Sequence, residues 1–530
     1  MRKKVATLLG VLLVLALAIV CIAGCGPKDS AKDGTYGGTL NVALARTAPH
    51  YDTDKSTDSY SGQVIFHVYE GLFEIDENYK PQPYLAESYE VQDDGKTYVF
   101  KLREGVLFHN GNEMTSEDVL ASFERWLKNN GGGQQVEPYV DKAEATDKYE
   151  FVVKFKEQYA PFLSFLSSIV SNQKFVVRPK EIIEKFGDKV IEEHIGTGPY
   201  KMVEYVPDDY VKLERFEEYV AQEGPSFAYS GKKEAYCDEI VFRIVPEPAV
   251  RVAGVKTGQY HYAELAPRDE FEQLEEDPDV VPYLVTPFGQ SFIIVNMGYP
   301  PFDNVYARQA LLHALDVEEL AKAMLGDEKF WYLDGALFPE GHIWHVSNAG
   351  KGSYNAYDPE KAKELLDKAG YNGEQVIILN GRDDPMESRG AEVARDQLEK
   401  VGFNVDTDLP DRATVVERRE QLDSWNLHFN TFFTPDPDPQ VYGAWMGTDK
   451  WIGNWNDEDS VKMDDIFERM LREIDYDKRG KIVEEWHEAF YEYVPYVKNF
   501  FFNEFNLAHK SLKGYEPFTV HVFFNVWLEE

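Results

Sequence analysis

The residue patterns that common enzyme chemistries require are incomplete in this sequence. His487 is followed four residues later by Tyr491, where the helical zinc-protease motif needs a second histidine. The Gly-Thr-Gly sequence at 196–198 begins like a dinucleotide-binding loop, but a proline comes next and Lys201 occupies the third glycine position. These near matches predict neither a zinc protease nor a dinucleotide-dependent enzyme.

Metal and nucleophile patterns are also missing. The 12 histidines show no paired metal-ligand spacing, and acidic runs such as Asp457–Asp459 have no glycine-centred calcium loop. The sequence has no Gly-x-Ser-x-Gly elbow for a nucleophilic serine. We therefore predict that the protein is not an enzyme and uses no metal or other cofactor.

The composition favours a binding protein. Aspartate and glutamate total 93 against 55 lysines and arginines, which gives a net charge of −38. Such a charge excludes nucleic acid as a partner, favours solubility, and fits neutral or cationic ligands. Aromatic residues make up 14% of the chain, and their rings bury a large area with few rotamers to fix.

The length of 530 residues predicts two or more lobes. The three cysteines are Cys21, Cys25 and Cys237. The first would leave with an N-terminal signal, so Cys237 cannot form an internal disulfide and the fold must rest on hydrophobic burial.

Apolar periodicity predicts the elements of the first half. Alternation indicates strands at 39–45, 98–102 and 149–155, and helical spacing extends over 63–73. A helix is predicted over 116–127, with Thr115 or Ser116 as its cap.

Strand and helix alternate in the second half, which predicts an α/β lobe with a mixed sheet. Asp316 is expected to cap one helix, and the helix that begins at Asp358-Pro359 ends at Gly370. The predicted helices are 308–314, 317–325, 359–370 and 389–400, and the predicted strands are 376–379 and one that starts at 403.

The N-terminus has the layout of a secretory signal. A basic Met-Arg-Lys-Lys start is followed by an uncharged apolar run, Val5–Ala23, and then by Gly24 and Cys25. The Ile-Ala-Gly-Cys ending resembles the lipobox of bacterial lipoproteins, which implies a signal peptide at 1–24, lipidation of Cys25 and a flexible tether at 25–36. The alternative is an uncleaved transmembrane helix. Either interpretation places the rest of the chain outside the cytoplasm, at the cell membrane or in the periplasm.

Several segments, in order between about 37 and 525, resemble one family. They are Tyr69–Leu72, Pro83–Gly111, Thr115–Val119, Gly196–Tyr200, Cys237–Ile240, Pro300–Val305 and Arg308–Ala310. The family is that of the extracellular solute-binding proteins of family 5, the receptors of peptide, dipeptide and nickel ABC importers. We interpret the Gly196–Tyr200 segment as a rigid turn rather than a ligand contact.

The resemblance implies a bilobal periplasmic-binding-protein-like α/β fold whose lobes are joined by two hinge crossings, near 288–295 and 500–506. The implied divisions are lobe I at 37–288 with an inserted subdomain at about 77–195, lobe II at 289–500, and a return to lobe I at 501–530. It also implies capture of solute by closure of the lobes, delivery to an ABC permease complex, and a monomeric receptor.

The resemblance leaves the ligand open. Peptide receptors of the family hold the peptide's amino group with an aspartate, but in this chain that position falls at Pro435, with Asp436 next to it and Asp438 beyond. If Asp436 faces the cleft, a short peptide or related amino-bearing ligand fits. Otherwise the alternating prolines and aspartates build a stiff surface turn.

The remaining candidate ligand contacts come from both lobes. In lobe I they are Thr47, His50 and Tyr51, in the loop after the first strand, and Tyr139. In lobe II they are Arg419, Phe432, Phe433, Thr434 and Trp445. Each aromatic residue has core packing as its alternative, and Arg418 or Arg419 would otherwise balance Glu417 or Glu420.

Other functions stay open on the sequence alone. Aromatic and acidic side chains also suit an oligosaccharide, since sugar rings stack on aromatic faces and carboxylates accept their hydroxyl hydrogens. The same fold could serve a surface sensor that presents a bound solute to a signalling partner. A secreted hydrolase would need a reactive constellation that the sequence lacks.

Overall fold

The computed structural model describes residues 34–56, 58–433, 438–443, 445–449 and 455–529, with only the backbone of Phe433. Its strands, in chain order, are β1 Thr39–Leu44, β2 Phe73–Ile75, β3 Pro81–Pro83, β4 Ala86–Gln92, β5 Thr97–Leu102, β6 Val140–Asp147, β7 Glu150–Phe155, β8 Tyr200–Val206, β9 Tyr210–Arg215, β10 Glu239–Ile244, β11 Tyr262–Ala263, β12 Val280–Val295, β13 Trp331–Tyr332, β14 Gln375–Leu379, β15 Asn404–Asp408, β16 Leu427–Phe433, β17 Tyr496–His509, β18 Leu512–Lys513 and β19 Trp527–Leu528.

The α-helices of the same residues are α1 Ser59–Ile65, α2 Ser116–Asn129, α3 Gly131–Val136, α4 Phe162–Leu166, α5 Lys180–Phe186, α6 Pro248–Lys256, α7 Phe271–Glu275, α8 Val305–Ala314, α9 Val317–Leu325, α10 Pro359–Ala369, α11 Pro385–Val401, α12 Arg412–Arg419, α13 Gln440–Gly443, α14 Glu458–Arg472 and α15 Tyr476–Tyr493.

Two long strands join the halves of one large sheet. Its order is β15-β14-β16-β12-β17-β11-β1-β10-β9-β8, and β13 adds to β17. We call β12 and β17 the crossing strands. They pair antiparallel with each other, while β16 lies against the second part of β12 and β11 lies against the last residues of β17. The sheet therefore runs without a break from one half of the molecule to the other.

The crossing strands are irregular where the two halves meet. Their register shifts between Val285 and Gly289 and again between Gln290 and Phe292. A Cβ at Gly289 would lie 2.4 Å from the Phe502 ring and 2.8 Å from the Phe432 carbonyl oxygen. Only glycine allows this close approach, and register shifts bend a strand and increase its twist.

Three clusters of buried side chains form the interior. One surrounds β12, β14 and β16 with the helices of the second half, and a second surrounds β1, β10 and β11 with the chain segment 508–526. The third lies under the separate four-stranded sheet β4-β5-β7-β6 and takes nearly all its side chains from residues 72–177.

Several predicted elements are confirmed. Thr115 and Asp118 form a capping box at the start of α2, Asp316 caps α9, and Gly370 ends α10 in the left-handed conformation. The helix predicted over 389–400 begins earlier, at Pro385, because Asp384 accepts the amide hydrogens of residues 386 and 387. The turn at 196–200 is packed, since a Cβ at Gly196 would lie 2.1 Å from the Val68 carbonyl oxygen.

The helical interpretation of 63–73 is wrong. Helix α1 ends at Ile65, and Phe73 begins β2. Phe66, Val68 and Tyr69 are buried although they lie in turns, so their apolar spacing reflects burial rather than helix.

Polar residues that resembled catalytic motifs have structural roles. The imidazole of His487 is buried, lies 2.8 Å from the Val483 carbonyl oxygen, and accepts the Leu337 amide hydrogen. Asp457 caps α14. Cys237 is a free, buried thiol, and burial raises its pKa to about 12.

Candidate functional site

Two cavities meet beside the crossing strands. The first, which we call the crossing-strand cavity, has a volume of about 420 Å³, and the second, the α9 cavity, of about 870 Å³. Arg46, Tyr60 and Phe288 line the first, whereas the second lies between Arg268 and the end of α9. Leu265 and Glu504 line both, so these two residues mark the junction of the cavities.

The loop after β1 and the start of α1 form one wall of the crossing-strand cavity. Asp58 caps α1 by accepting the Tyr60 amide hydrogen, and its other oxygen lies 2.5 Å from Arg46 Nη1. The Arg46 guanidinium also stacks 4.1 Å from the centre of the Tyr60 ring. The one arginine in this cavity lining is therefore paired with a carboxylate of the same lining.

Glu264, Glu504 and His521 form the floor, and we call them the acidic floor. Glu264 follows β11, Glu504 belongs to β17, and His521 comes from the C-terminal segment; their exposed fractions are 1%, 5% and 1%. His521 Nε2 lies 3.4 Å from Glu264 Oε2 and 3.7 Å from Glu504 Oε1, but it makes no hydrogen bond. The pairing of β11 with β17 brings these distant residues together.

The two carboxylates have different surroundings. Glu264 accepts the Ala45 amide hydrogen at 2.7 Å, and although burial opposes ionisation, the nearby His521 and this amide hold its pKa below the usual range. The Glu504 carboxylate accepts a hydrogen bond from Asn506 Nδ2 at 2.8 Å. Burial raises the pKa of Glu504 to about 7. Glu264 is thus held in its ionised form, while burial shifts Glu504 towards its protonated form.

Arg251 fixes the backbone beside the floor. Its buried guanidinium donates to the carbonyl oxygens of Glu264 and Leu265, each at 3.0 Å, and to those of residues 245 and 246. Leu265 has a φ of 51°, which is strained for a leucine, and its side chain is 41% exposed. The strained conformation presents an apolar side chain at the junction of the cavities.

The predicted contacts of the first loop divide between the surface and the interior. Thr47 is half-buried and donates to the Ala48 carbonyl oxygen at 3.2 Å, and the half-buried His50 has an Nδ1 without a hydrogen-bond partner. Tyr51 is buried and packs edge-on against Tyr205, with ring centres 5.2 Å apart. The structure therefore places Tyr51 in the core around β1 rather than on the cavity wall.

Tyr139 also packs internally. Its ring stacks on Tyr159 at 4.6 Å, and the Arg472 guanidinium lies 5.5 Å from its centre. These contacts join the four-stranded sheet to α14 and lie apart from the two cavities.

Phe432 and Trp445 form an aromatic pair beside β12, where Phe432 lies opposite Gln290. Their rings stack with centres 4.6 Å apart, and Phe432 meets Phe292 of β12 edge-on at 5.5 Å. Both are half-buried against the core of the second half. The side chain of Phe433 and all of Thr434 and Asp436 lie outside the described residues.

Asp438 is committed to a buried ion pair. Its two oxygens each accept a hydrogen bond from Arg479, both at 2.6 Å, and the exposed fractions of the two side chains are 0% and 3%. Arg479 also donates to the Met470 carbonyl oxygen at 2.8 Å. Asp438 therefore ties the segment before α13 to α15.

Arg419 ends α12 and is half-buried. Burial lowers its pKa, and Glu420 is the charge that most opposes this shift. Its backbone carbonyl oxygen accepts the Trp425 indole hydrogen at 3.1 Å. The neighbouring Arg418 pairs with Asp408 of β15 rather than with Glu417 or Glu420.

Sequence reasoning missed the buried charges on the crossing strands. Glu504 lies between the phenylalanines at 500–502 and Phe505, and this charged residue among aromatic ones was the available signal. Lys498 lies on the same strand with its ammonium 3.9 Å from the centre of the Phe501 ring, and burial lowers its pKa to about 7. Glu264 and His521 carried no comparable signal.

A family model described as "Bacterial extracellular solute-binding proteins, family 5 Middle" matches residues 80–453. The chain belongs to this family. The fold agrees, because a substrate-binding protein of Listeria monocytogenes, CtaP, aligns with a TM-score of 0.81 at 21% identity over 94% of this chain and 100% of its own. The bilobal α/β prediction is therefore confirmed.

Named relatives are similar over most of the chain. A probable peptide ABC transporter periplasmic-binding protein of Sinorhizobium fredii is 28% identical over 92% of this chain and 93% of its own length. The glutathione-binding protein GsiB of Escherichia coli is 28% identical over 79% and 78%. The Helicobacter pylori binding protein DppA, solved with the peptide STSA, has a TM-score of 0.74 and 25% identity over 94% and 99%. Family members are substrate-binding transport proteins.

The described residues contain neither a membrane span nor a metal-binding cluster. No helix within these ranges is both long and apolar enough to span a bilayer. The same residues contain no group of at least three histidine, cysteine, aspartate or glutamate side chains that could hold a metal ion.

Proposed function

We propose that this protein is the substrate-binding lipoprotein of an ABC importer and captures a short peptide or a related amino-bearing solute. The observation that carries the ligand class is the crossing-strand cavity, where apolar and aromatic walls surround the carboxylates of Glu264 and Glu504. A positively charged amino group with an apolar body suits such a lining. Relatives named for peptides and glutathione support the same class.

Capture works through the crossing strands. A ligand that contacts both halves of the sheet favours their closed arrangement, because only that arrangement makes both sets of contacts. The register shifts around Gly289 lie where β12 passes from one half to the other and provide the flexible point. A permease that recognises the closed arrangement then receives the solute, and no covalent chemistry is needed.

The proposed ligand contacts in the second half are Arg419, Phe432, Phe433, Thr434, Asp436 and Trp445. In the first half they are Arg46, Thr47 and His50, with the acidic floor. The division into lobe I at 37–288, lobe II at 289–500 and a return at 501–530 belongs to the same proposal.

The protein is held outside the cytoplasm by lipid on Cys25, and the tether up to residue 36 keeps it near its permease as a monomer. Tethering raises the effective concentration of the receptor at the permease without any added contact. A single acyl chain binds a membrane only marginally, so several acyl groups on the cysteine are expected. Mass measurement of the mature N-terminal peptide tests this, and an unmodified Cys25 contradicts it.

Thermal unfolding with ligand pools tests the function. Purified residues 26–530 are heated with a pool of tri- and tetrapeptides, with a pool of oligosaccharides, and alone. Ligand at 100 times its dissociation constant should add about 2.7 kcal/mol to the free energy of unfolding. Stabilisation by peptides supports the proposal, stabilisation by sugars alone establishes the oligosaccharide receptor instead, and no stabilisation by either pool contradicts both.

A further inference from the structure

We propose that Glu504, in the acidic floor of the crossing-strand cavity, binds the ammonium group of the ligand. This inference rests on the proposed function and assigns to β17 the role that the segment around Asp436 was expected to have.

The lining of the crossing-strand cavity carries more carboxylates than cationic side chains. The ionisable side chains of the lining are Arg46, Asp58, Glu264 and Glu504, with Tyr60. Arg46 is committed to Asp58 at 2.5 Å, so two carboxylates face the cavity with no cation of the lining left for them. A buried carboxylate without a cationic partner is costly, and an incoming ammonium relieves this cost.

Glu504 is the less compensated of the two carboxylates. Arg251 acts electrostatically on Glu264, which also accepts the Ala45 amide hydrogen. Among the described residues, the basic group within 4.0 Å of Glu504 is His521, whose Nε2 is 3.7 Å away. This nitrogen is buried and lies beside both carboxylates, but it makes no hydrogen bond. The Glu504 carboxylate can therefore still accept a hydrogen bond from a cationic donor.

Local geometry points to a ligand at the same place. Leu265 lies at the junction of the two cavities with a φ of 51° and an exposed side chain. Its amide donates to Asn506 Oδ1 at 2.8 Å, while Asn506 Nδ2 donates to Glu504. Strained residues held by such networks concentrate at binding sites. The apolar body of an amine would contact Leu265 and Phe288 while its ammonium reaches Glu504.

Binding should change the protonation of Glu504. The charged groups that shift the pKa of its carboxyl are His521, Glu264 and Arg268. The carboxylate in turn raises the pKa of three tyrosines, Tyr60, Tyr262 and Tyr515. Burial holds the pKa of Glu504 at about 7, and an adjacent ammonium lowers it. Near pH 7, binding of an amine therefore releases part of a proton to the buffer.

The first experiment compares the peptide pool before and after acetylation of its amino groups. At pH 8 the free pool should stabilise the wild type and the acetylated pool should not. Equal stabilisation by both pools overturns the ammonium site but leaves the peptide receptor standing, whereas no stabilisation by either pool removes the proposed function and this inference with it.

The second experiment locates the amine. A stabilising peptide from the pool is titrated calorimetrically into the wild type, E504Q and the control E276Q, whose carboxylate is exposed on the surface after α7. E504Q should lose about ten-fold or more in affinity at pH 8, since hydrogen bonds between charged groups are stronger than neutral ones. E276Q should bind like the wild type, and unchanged affinity in E504Q overturns the assignment.

The pH profile separates a binding role from a structural one. From pH 8 to pH 5 the wild-type affinity should fall about ten-fold or more, because protonation removes the Glu504 charge, while the affinity of E504Q should change much less. Titration of the wild type at pH 7 in two buffers of different ionisation enthalpy should show proton release and needs no variant. Absence of proton release contradicts the proposal even if E504Q fails to fold.

Discussion

Two buried groups of charges adjoin the loop after β1, and they are balanced differently. Directly after the loop that lines the crossing-strand cavity, Asp52 and Asp54 meet Arg125 and Arg178. Asp52 lies 2.6 Å from Arg125, and Asp54 lies 2.9 Å from Arg178. In the acidic floor the corresponding distance from Glu504 to His521 is 3.7 Å.

The group of Asp52, Asp54, Arg125 and Arg178, which we call the balanced group, has further partners. The Ile191 amide donates to Asp52 at 2.9 Å, Arg178 donates to Thr53 at 2.7 Å, and Arg178 lies 4.7 Å from the centre of the Tyr69 ring. Each carboxylate lies within 3.0 Å of a guanidinium nitrogen, although Asp54 Oδ1 accepts no hydrogen bond among the described residues. The group holds the first loop against α2 and thereby fixes the cavity wall.

The comparison shows how burial of charge can serve either structure or binding. Removal of one partner of a buried ion pair strongly destabilises a protein, because the other charge is left unpaired. An incompletely paired charge beside a cavity is already costly, and a ligand can stabilise it. Substitutions should therefore act in opposite directions in the two groups.

The largest effect is expected in the balanced group. Arg178→Met leaves Asp52 and Asp54 with one guanidinium, and the free energy of unfolding should fall by about 3–5 kcal/mol. Urea unfolding measures this difference at pH 7. A loss below about 1 kcal/mol would show that the four charges do not act as a structural unit.

In the acidic floor, E504Q should raise stability at alkaline pH. Burial raises the pKa of the Glu504 carboxyl from its ordinary 4.5 to about 7, so the folded protein holds this proton more tightly than the unfolded chain. The stability of the wild type relative to E504Q should therefore fall as the pH rises from 4.5 to 7, by about 3 kcal/mol. Urea unfolding of both proteins at pH 4.5 and pH 8 measures the change, and a pH-independent difference would contradict it.

The pair of Asp438 and Arg479 extends the comparison to the second half. Because both side chains are buried and joined by two hydrogen bonds, Asp438→Asn should lower the free energy of unfolding by about 2–3 kcal/mol. Peptide affinity at a temperature where the variant is folded should stay close to wild type. A variant of normal stability that no longer binds would instead place Asp438 in the ligand site.

The smallest effect is expected at a surface pair on the same helix as Arg125. Lys128 lies 2.7 Å from Asp188, but both side chains are about two-thirds exposed. Lys128→Met should change the free energy of unfolding by less than about 1 kcal/mol. A loss as large as that of Arg178→Met would mean that burial does not explain the difference between the groups.

Local sequence signals predicted elements better than they predicted the site. Asp316, Asp358 and Gly370 marked helix ends because capping depends on residues within one turn. The helix predicted over 63–73 was wrong because a buried turn and a buried helix show similar apolar spacing.

The acidic floor could not be predicted because its parts are distant in sequence. Glu264, Glu504 and His521 meet only through the parallel pairing of β1 with β11 and the antiparallel pairing of β11 with β17. Tyr51 and Tyr139 were predicted to contact the ligand, but each packs internally against a second aromatic ring that is distant in sequence. The family resemblance supplied the bilobal architecture that periodicity alone left open.

Native mass spectrometry of the protein purified from its own host tests solute capture most directly. We expect a retained small molecule of peptide mass with a free amino group, released when the protein is denatured and absent after refolding. A retained oligosaccharide would contradict the proposed ligand class. A protein that carries no solute and gains no stability from any peptide pool would contradict the receptor function proposed for the crossing-strand cavity.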